Sequence, residues 1–413
     1  MELQTLLDQL FNEPDIDKRR YIPDKLAKLG DWGSTHALGQ LITDNQQPDI
    51  IRNEGVESLG KQGDPDAVPY LVEVLSDEDD DIRRTAVWSL GQIGTPTALE
   101  PIFSMIQDPS VEVRRWVAKS AGRIRDNRVI AKLKDYILYL NHDEERVLAD
   151  IIRAVTSQIT RVEPEEYEFW IRQCYLILQN NYPNYVKQAA ILLLNEFYKR
   201  EIPVDIEALD SLFSEIREDD PLVRPNIIIA MGYAKNIEFL KNLNHKNAII
   251  ARGIAGDINF VDTILDKSEV TEEIIAALEA YTYLSVMPNL EKWYNHENLS
   301  VQTQALQLHA LHHLPIKRLL NAYEDNRGKF KVIELLRYYS DEALIILEKI
   351  ALDDEKVARQ NSVYSLISDE MIKNVEDKNK LLSILEHVTK QERIWHIRRD
   401  ARIGIERIRK IEN

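Results

Sequence analysis

The strongest constraint on the fold is an internal repeat of 31 residues. Residues 63–93, GDPDAVPYLVEVLSDEDDDIRRTAVWSLGQI, align without a gap with residues 94–124, GTPTALEPIFSMIQDPSVEVRRWVAKSAGRI. A less regular copy and three weaker ones lie at residues 30–62, 219–232, 357–366 and 395–408. One such unit is too short to bury its own apolar residues, so neighbouring units must stack on one another.

Each unit has the pattern of two helices joined by an acidic turn. The apolar residues of the first helix are Val68, Leu71, Val72 and Leu75, which recur at the spacing of one helical face. Those of the second helix are Ile82, Ala86, Val87 and Leu90. The acids of residues 77–81 mark the turn and the start of the second helix, where they complement the helix dipole. The pattern predicts an all-α fold, an α/α superhelical solenoid of helical-hairpin repeats.

Composition agrees with this fold and excludes several classes of protein. The chain has only 14 Gly and 15 Pro among 413 residues, which favours helices with short connections. Its formal net charge of −17 argues against a general nucleic-acid binder. Cys174 is the single cysteine, so neither an intrachain disulfide nor a thiolate metal cluster can form, and we expect it to be buried. We find no signal peptide and no membrane-spanning stretch, and therefore expect a cytoplasmic protein.

Three segments of different regularity follow one another along the chain. We predict N-terminal capping helices in residues 1–29, well-patterned repeats in residues 30–160, and degenerate repeats in residues 161–413, all in one continuous solenoid. Residues 391–413 carry seven Lys or Arg and four acids. We interpret this excess as the solvated face of a C-terminal capping helix.

The common enzyme motifs are missing from the sequence. It has no phosphate-binding G-x-x-x-x-G-K-[ST], no G-x-S-x-G and no H-E-x-x-H. His309 and His313 could share one helical face, but a helix end beside Pro315 explains them better than a metal does. We therefore predict no metal site.

The second helices also carry residues that the core does not need. In solenoids of this kind the second helices line the concave surface. The positions left over on that side are occupied by Arg84, Trp88, Arg115, Trp116, Lys119 and Arg123, and an alignment of residues 141–155 adds Arg153. We call these seven residues the strip. The same alignments place three acids nearby, Glu54, Glu57 and Asp150.

The composition of the strip points to a particular kind of ligand. Two indoles beside several cations suit a flat, conjugated molecule with two carboxylates, since indole stacks on a π-system and guanidinium binds carboxylate bidentately. A groove for a partner protein is the alternative. We assign Arg83 and Arg114 to a different role, that of pairing with the acidic turns and holding the repeats together.

The repeat motif resembles that of a known family. The pattern D-x-x-V/I-R-x-x-A-x-x-x-L-G-x-I-G, clear over residues 30–125, resembles the short HEAT-like repeats of the phycobilisome lyases in the E/F clan of cyanobacterial bilin lyases. The length and layout are similar to those of the phycoerythrin bilin lyases and lyase-isomerases of marine cyanobacteria. Scaffold proteins, peptidase-regulating modules and hydroxylases of this repeat class carry the same core motif.

The resemblance implies a function and a set of partners. It implies that the chain attaches phycoerythrobilin to a cysteine of a phycoerythrin subunit, with the α subunit as the expected acceptor, and a lyase-isomerase would also convert the chromophore to phycourobilin. The bilin is then a substrate, and no cofactor is tightly bound. The strip would hold the bilin, and Glu54, Glu57 and Asp150 would serve its protonation. The alternatives are a non-enzymatic HEAT-repeat scaffold and a bilin chaperone. The oligomeric state stays open, and a monomer could grip the acceptor.

Overall fold

The computed structural model divides into two compact units of stacked helices. It describes residues 2–29, 32–140, 144–205, 207–217, 220–243, 245–325, 328–352, 355–392 and 394–412. The units are Met1–Asn226 and Ile227–Asn413. Within the described ranges every regular element is a helix, which confirms the all-α prediction. None of these helices combines the length and the apolar character that crossing a membrane requires.

The first unit contains fourteen complete helices among its described residues, and a further helix starts near its end. They are α1 (Glu2–Asn12), α2 (Ile16–Arg19), α3 (Ile22–Leu29), α4 (Trp32–Thr43), α5 (Asp49–Gln62), α6 (Val68–Glu73), α7 (Asp80–Ile93), α8 (Leu99–Phe103), α9 (Val111–Ala121), α10 (Arg128–Tyr139), α11 (Glu145–Ser157), α12 (Tyr167–Gln179), α13 (Asn184–Tyr198), α14 (Glu207–Glu215) and α15 (Arg224–Tyr233). Short 3-10 segments lie at Pro65–Ala67, Val74–Ser76, Pro96–Ala98, Ile159–Arg161 and Pro164–Glu166.

The second unit contains helices of more variable length. They are α16 (Ile237–Lys241), α17 (Lys246–Ile254), α18 (Ile258–Lys267), α19 (Thr271–Ala280), α20 (Glu291–Tyr294), α21 (Leu299–Leu311), α22 (Lys317–Glu324), α23 (Lys329–Leu335), α24 (Ser340–Ala351), α25 (Lys356–Leu366), α26 (Asp369–Asn374), α27 (Lys378–Gln391) and α28 (Trp395–Glu412). Its 3-10 segments are Tyr281–Tyr283 and Leu336–Tyr339.

The predicted second helices form a continuous row in the first unit. Helices α5, α7, α9, α11 and α13 pack side by side in chain order. The first three begin at Asp49, Asp80 and Val111, so the 31-residue repeat of the sequence is also the repeat of the structure. The predicted core residues of α7, Ile82, Ala86, Val87 and Leu90, are all inaccessible to solvent. Asp79 caps this helix by accepting hydrogen bonds from the backbone of Asp81 and Ile82, as the acidic turn predicts.

One residue predicted for the core of the first helix lies outside it. Val72 is 37% exposed, whereas Val74 is buried in its place. The buried face passes through Ala67, Leu71 and Val74, and the chain tightens into a 3-10 turn from Val74 onward. Val72 therefore falls at the edge of the face, and the prediction that it points inward was wrong.

The glycines of the repeat have two separate roles. Gly94 ends α7 with a φ of 69°, a left-handed conformation that glycine adopts without strain. Gly91 has another role, because a methyl group there would lie 2.5 Å from Cβ of Ser120 in α9. Gly91 thus lets the two second helices approach closely.

Arginines of the second helices tie each repeat to the next. The pairs are Arg52–Asp77, Arg83–Asp108 and Arg114–Glu144, with N···O distances of 2.5, 2.8 and 2.5 Å. Arg83 also donates to the backbone carbonyls of Asp77 and Glu78 in the turn of its own repeat. The prediction that Arg83 and Arg114 hold the repeats together is confirmed. We call this series the arginine ladder.

The second unit has the same row built from shorter repeats. Helices α17, α19, α21, α23 and α25 pack in chain order, and α28 packs against α25 and α27. The weak copies recognised in the sequence around residues 357–366 and 395–408 are the second helices α25 and α28. Arg398 and Asp400 of α28 are buried, so the C-terminal segment is more than the solvated face that its charge predicts. The segment boundary at residue 160 stays a prediction.

Removing one arginine of the ladder should cost far more stability than removing its exposed neighbour. Arg83→Ala leaves the Asp108 carboxylate, whose side chain is 3% exposed, without its guanidinium. We expect a loss of about 3 kcal/mol in urea unfolding followed by circular dichroism. Arg84→Ala, which breaks an exposed pair with Asp81, should cost about 1 kcal/mol or less. Equal losses in the two variants would contradict the ladder.

Candidate functional site

The strip lies on three neighbouring second helices of the first unit. Helix α7 carries Arg84 and Trp88, helix α9 carries Arg115, Trp116 and Lys119, Arg123 follows the end of α9, and α11 carries Arg153. Arg123 and Arg153 are exposed, and the other five residues are half-buried. The site is therefore an accessible surface, and its concave character stays a prediction.

Three cations of the strip converge on one buried carboxylate. The side chain of Asp150, on α11, is only 5% exposed. Its Oδ2 accepts a hydrogen bond of 3.0 Å from Nε of Arg115 and lies 3.8 Å from Nζ of Lys119. Its Oδ1 lies 3.4 Å from Nη1 of Arg153. The approximate alignment of residues 141–155 thus placed Asp150 and Arg153 correctly beside α9, although residues 141–143 lie outside the described residues.

Two of these cations have further partners that hold them in place. Nη1 of Arg115 donates to both carboxylate oxygens of Glu112, each at 3.1 Å. Nη2 of Arg153 donates to the backbone carbonyl of Tyr185 at 3.2 Å. Counting Asp150 and Glu112 against Arg115, Lys119 and Arg153, the cluster keeps one positive charge in excess.

Lys119 is the cation of the cluster that is least well compensated. Its Nζ lies 4.7 Å from the ring centroid of Trp116, and Cζ of Arg123 lies 5.9 Å from the same centroid. Burial lowers the pKa of Lys119; Asp150 opposes this effect, while the guanidinium of Arg115 adds to it. An incoming anion would therefore stabilise the protonated amine next to an indole face.

The part of the strip on α7 is built more loosely. Nη2 of Arg84 pairs with Asp81 at 2.8 Å, and both side chains are substantially exposed. Trp88 is half-buried, and within the described residues no ring contact joins it to Trp116. The structure thus places the two indoles on adjacent helices without stacking them on each other.

The other two predicted acids each have a cation of their own. Oε1 of Glu54 accepts a hydrogen bond of 2.8 Å from Nη2 of Arg20, and Oε1 of Glu57 lies 2.7 Å from Nζ of Lys61. Both acids lie on α5, the helix that packs against α7. Their catalytic role stays a prediction, as does the role of Asp150 in proton transfer.

Some residues of the site were missed by the sequence analysis. Glu112 and Asp81 stand three residues before Arg115 and Arg84, a spacing that pairs opposite charges on a helix and could have revealed them. Tyr185 contributes a backbone carbonyl from 32 residues away, and nothing in the local sequence marks it.

Two other reactive side chains noted in the sequence, Cys174 and His309, are buried in the core. Cys174 is fully buried, as predicted, and burial raises the pKa of its thiol. His309 accepts a hydrogen bond from Tyr294 at Nδ1 and donates from Nε2 to the carbonyl of Pro315, so it closes a helix end. Across the described ranges, no three His, Cys, Asp or Glu side chains are grouped in a way that could hold a metal ion.

A cavity of about 420 Å³ in the first unit lies away from the strip. It opens among α10, α11 and α12, and its lining residues are Ile137, Leu140, Glu144, Glu145, Leu148, Gln173, Leu176, Ile177, Asn180, Asn181 and Tyr182. None of the ten predicted site residues contributes to it.

Comparisons with known proteins agree on the repeat class. Residues 3–86 and 71–156 match the sequence pattern of HEAT repeats. No curated protein matches the chain in sequence. The matched HEAT-repeat pattern and the order of the helices together show an all-α solenoid of HEAT-like hairpins.

Three of the solved structures to which the chain is similar are the following. Importin beta is 13% identical, with 98% of this chain and 69% of that chain covered and a TM-score of 0.48. An engineered protein is 14% identical over 99% of both chains, with a TM-score of 0.36. The complex of CpcE and CpcF of phycocyanin lyase from Nostoc is 18% identical, with 69% of this chain and 95% of that chain covered and a TM-score of 0.34.

Removing the shared carboxylate should lower the pKa of Lys119 further. Asp150→Asn deletes the negative charge that favours the protonated amine, while Arg115 and Arg153 continue to repel it. The pKa is measured from the pH dependence of the lysine side-chain NMR shifts, assigned with Lys119→Arg. Asp81→Asn, which loosens only Arg84, serves as the control. An unchanged pKa in Asp150→Asn would mean that the cluster does not act as a unit.

Proposed function

We propose that this chain is a phycobilin lyase that attaches phycoerythrobilin to a cysteine of a phycoerythrin subunit. The observation that carries the proposal is the surface around Trp116, where an indole, the poorly compensated Lys119 and the exposed Arg123 lie together. The resemblance of the repeat motif to the bilin lyases supplies the substrate class.

Some side chains of the strip are held in place by ion pairs, whereas others can reorient toward a ligand. Arg115 is held by Asp150 and Glu112, so its contribution is to shape the surface. Lys119 and Arg84 can turn toward the two propionates of a bilin, because the ion pair of Lys119 is long and that of Arg84 is exposed. The exposed Arg123 is the third cation proposed to reach a propionate. The faces of Trp88 and Trp116 would stack on the pyrrole rings.

The chemistry needs neither an oxidant nor a reductant. The acceptor thiol adds across the 3-ethylidene group of the bilin: a carbon–sulfur bond forms, the ethylidene double bond is consumed, and the thiol proton is transferred to the tetrapyrrole. Holding the two reactants in one pose can contribute about 7–11 kcal/mol toward the barrier. Glu54 and Glu57 are the carboxyl groups proposed to exchange the proton, while Asp150 holds the cations. An isomerase step would move a second proton and shift a double bond, giving phycourobilin.

A binding protein without catalysis is the second candidate. It is favoured by the exposure of Arg123 and Arg153, since a partner protein could reach both side chains from solvent. A bilin chaperone would bind the pigment and leave the acceptor unmodified. A scaffold would hold a partner protein on the same surface and bind no pigment.

Co-expression with phycoerythrobilin synthesis and the phycoerythrin α and β subunits tests the proposal. The denatured acceptor should absorb as covalent phycoerythrobilin, or as phycourobilin if the chain is also an isomerase. Trp116→Ala combined with Arg123→Glu should lower transfer at least tenfold, since it removes a stacking face and reverses an exposed charge. Arg125→Glu, an exposed charge reversal two residues away, is the matched control.

The outcomes separate the candidates. An unmodified acceptor with a coloured copurified protein means a chaperone, and an unmodified acceptor with a colourless protein means a scaffold. Transfer that is equal in the double variant and in Arg125→Glu, with unchanged circular dichroism, would remove the strip from the site.

A further inference from the structure

A carboxyl group in the second unit occupies the place that Lys119 has in the first. A methyl group on Gly253 would lie 2.5 Å from Cβ of Ala280, which repeats the close approach of Gly91 to Ser120. Glu279 precedes Ala280 as Lys119 precedes Ser120. The position that Lys119 occupies on α9 is therefore occupied by Glu279 on α19.

Glu279 is half-buried and has no cation. In the portion of the chain that the structure describes, no ion pair or hydrogen bond reaches its carboxyl group, and burial is what raises its pKa. The other described carboxyl groups with a shifted pKa are all lowered by their partners, namely Asp15, Asp44, Asp77, Asp126, Glu196 and Asp220. A partly buried carboxylate without a cation is stabilised when a positively charged group binds next to it.

Two of the cations on the helices around α19 have ion-pair partners of their own. These helices are α17, α18 and α21. Their titratable groups, with those of the adjoining 3-10 segment, are Lys246, Arg252, Asp262, Asp266, Lys267, His309, Tyr281 and Tyr283. Lys246 pairs with Glu272 and Arg252 with Asp257. The hydroxyl of Tyr281 donates to Asp262. None of these groups contributes to the shift at Glu279.

Aromatic and aliphatic side chains follow the carboxyl group closely in the chain. The hydroxyl of Thr282 donates to the backbone carbonyl of Glu279 at 2.8 Å. This hydrogen bond fixes the backbone just before Tyr283, which lies four residues after Glu279. The rings of Tyr233 and Tyr283 meet edge to face, with centroids 6.4 Å apart. Tyr283 is 46% exposed, and Val286 and Met287 beyond it are also exposed. We call Tyr233, Glu279, Tyr283, Val286 and Met287 the Glu279 patch.

We infer that the Glu279 patch binds an arginine side chain of a partner protein, presented between apolar side chains. A guanidinium group can pair with the carboxylate through two hydrogen bonds and stack on a tyrosine ring, which an ammonium group does less well. The neighbouring apolar side chains would cover Val286 and Met287. This partner site involves no chromophore and is independent of the proposed lyase activity.

Binding of a defined peptide to the full-length protein tests the inference. The probe is a short fluorescein-labelled peptide with one arginine between two leucines, and its comparison replaces that arginine with the neutral isostere citrulline. The arginine peptide should bind at least tenfold more tightly in fluorescence anisotropy. Glu279→Gln and Tyr283→Ala should each abolish that preference, whereas Glu272→Gln, at the other end of α19, should preserve it.

The pH dependence gives a second readout. Because only the ionised carboxylate attracts the guanidinium, affinity for the arginine peptide should fall on acidification in the wild type and stay flat in Glu279→Gln. Equal affinity for the two peptides, or an undiminished preference in Glu279→Gln, would overturn the inference. Neither result would bear on chromophore transfer by the strip.

Discussion

The arginine ladder is the interaction on which the order of the first unit depends. Arg83 and Arg114 each donate to backbone carbonyls in the turn of their own repeat and form an ion pair with an acid of the next repeat, so they fix the offset between neighbouring repeats. Buried ion pairs add little net stability compared with apolar packing, but they penalise a wrong register severely. The same device recurs far along the chain as Arg359–Glu392, with an N···O distance of 2.8 Å. The ladder pair Arg114–Glu144 also links α9 to the start of α11, the two helices whose strip residues meet at Asp150.

The fold could be predicted wherever one physical rule decided the outcome. The core of α7 and the pairing role of Arg83 follow from periodicity and from an acidic turn that repeats after 31 residues. Val72 was misplaced because its helix tightens into a 3-10 turn, which shifts the apolar face without changing the composition. The burial of Arg398 was missed because a charge count cannot tell which side of a terminal helix is covered. Later repeats were hard to align because second helices there begin 25 to 39 residues apart.

The candidate site, like the fold, could be predicted only in part from the sequence. Alignment of the repeats placed Arg115 and Lys119 beside Arg153 and Asp150, since equivalent positions on stacked helices are neighbours. It did not show that Asp150 is the common partner of the three cations, because that depends on side-chain distances within the stack. Glu279 escaped attention for a related reason: in the shorter repeats of the second unit its equivalence to Lys119 becomes visible only through the contacts of Gly91 and Gly253.

The close approach at these glycines fixes the distance between neighbouring second helices. Where a helix meets its neighbour at a residue without a side chain, and a serine such as Ser89 or Ser120 donates to a carbonyl of the preceding second helix, the two axes have no freedom to spread apart. With interaxial distances of about 8–10 Å, the three helices from α7 to α11 span roughly 16–20 Å. If the strip binds a bilin as proposed, a ligand that contacts both α7 and α11 must carry its charged groups about that far apart.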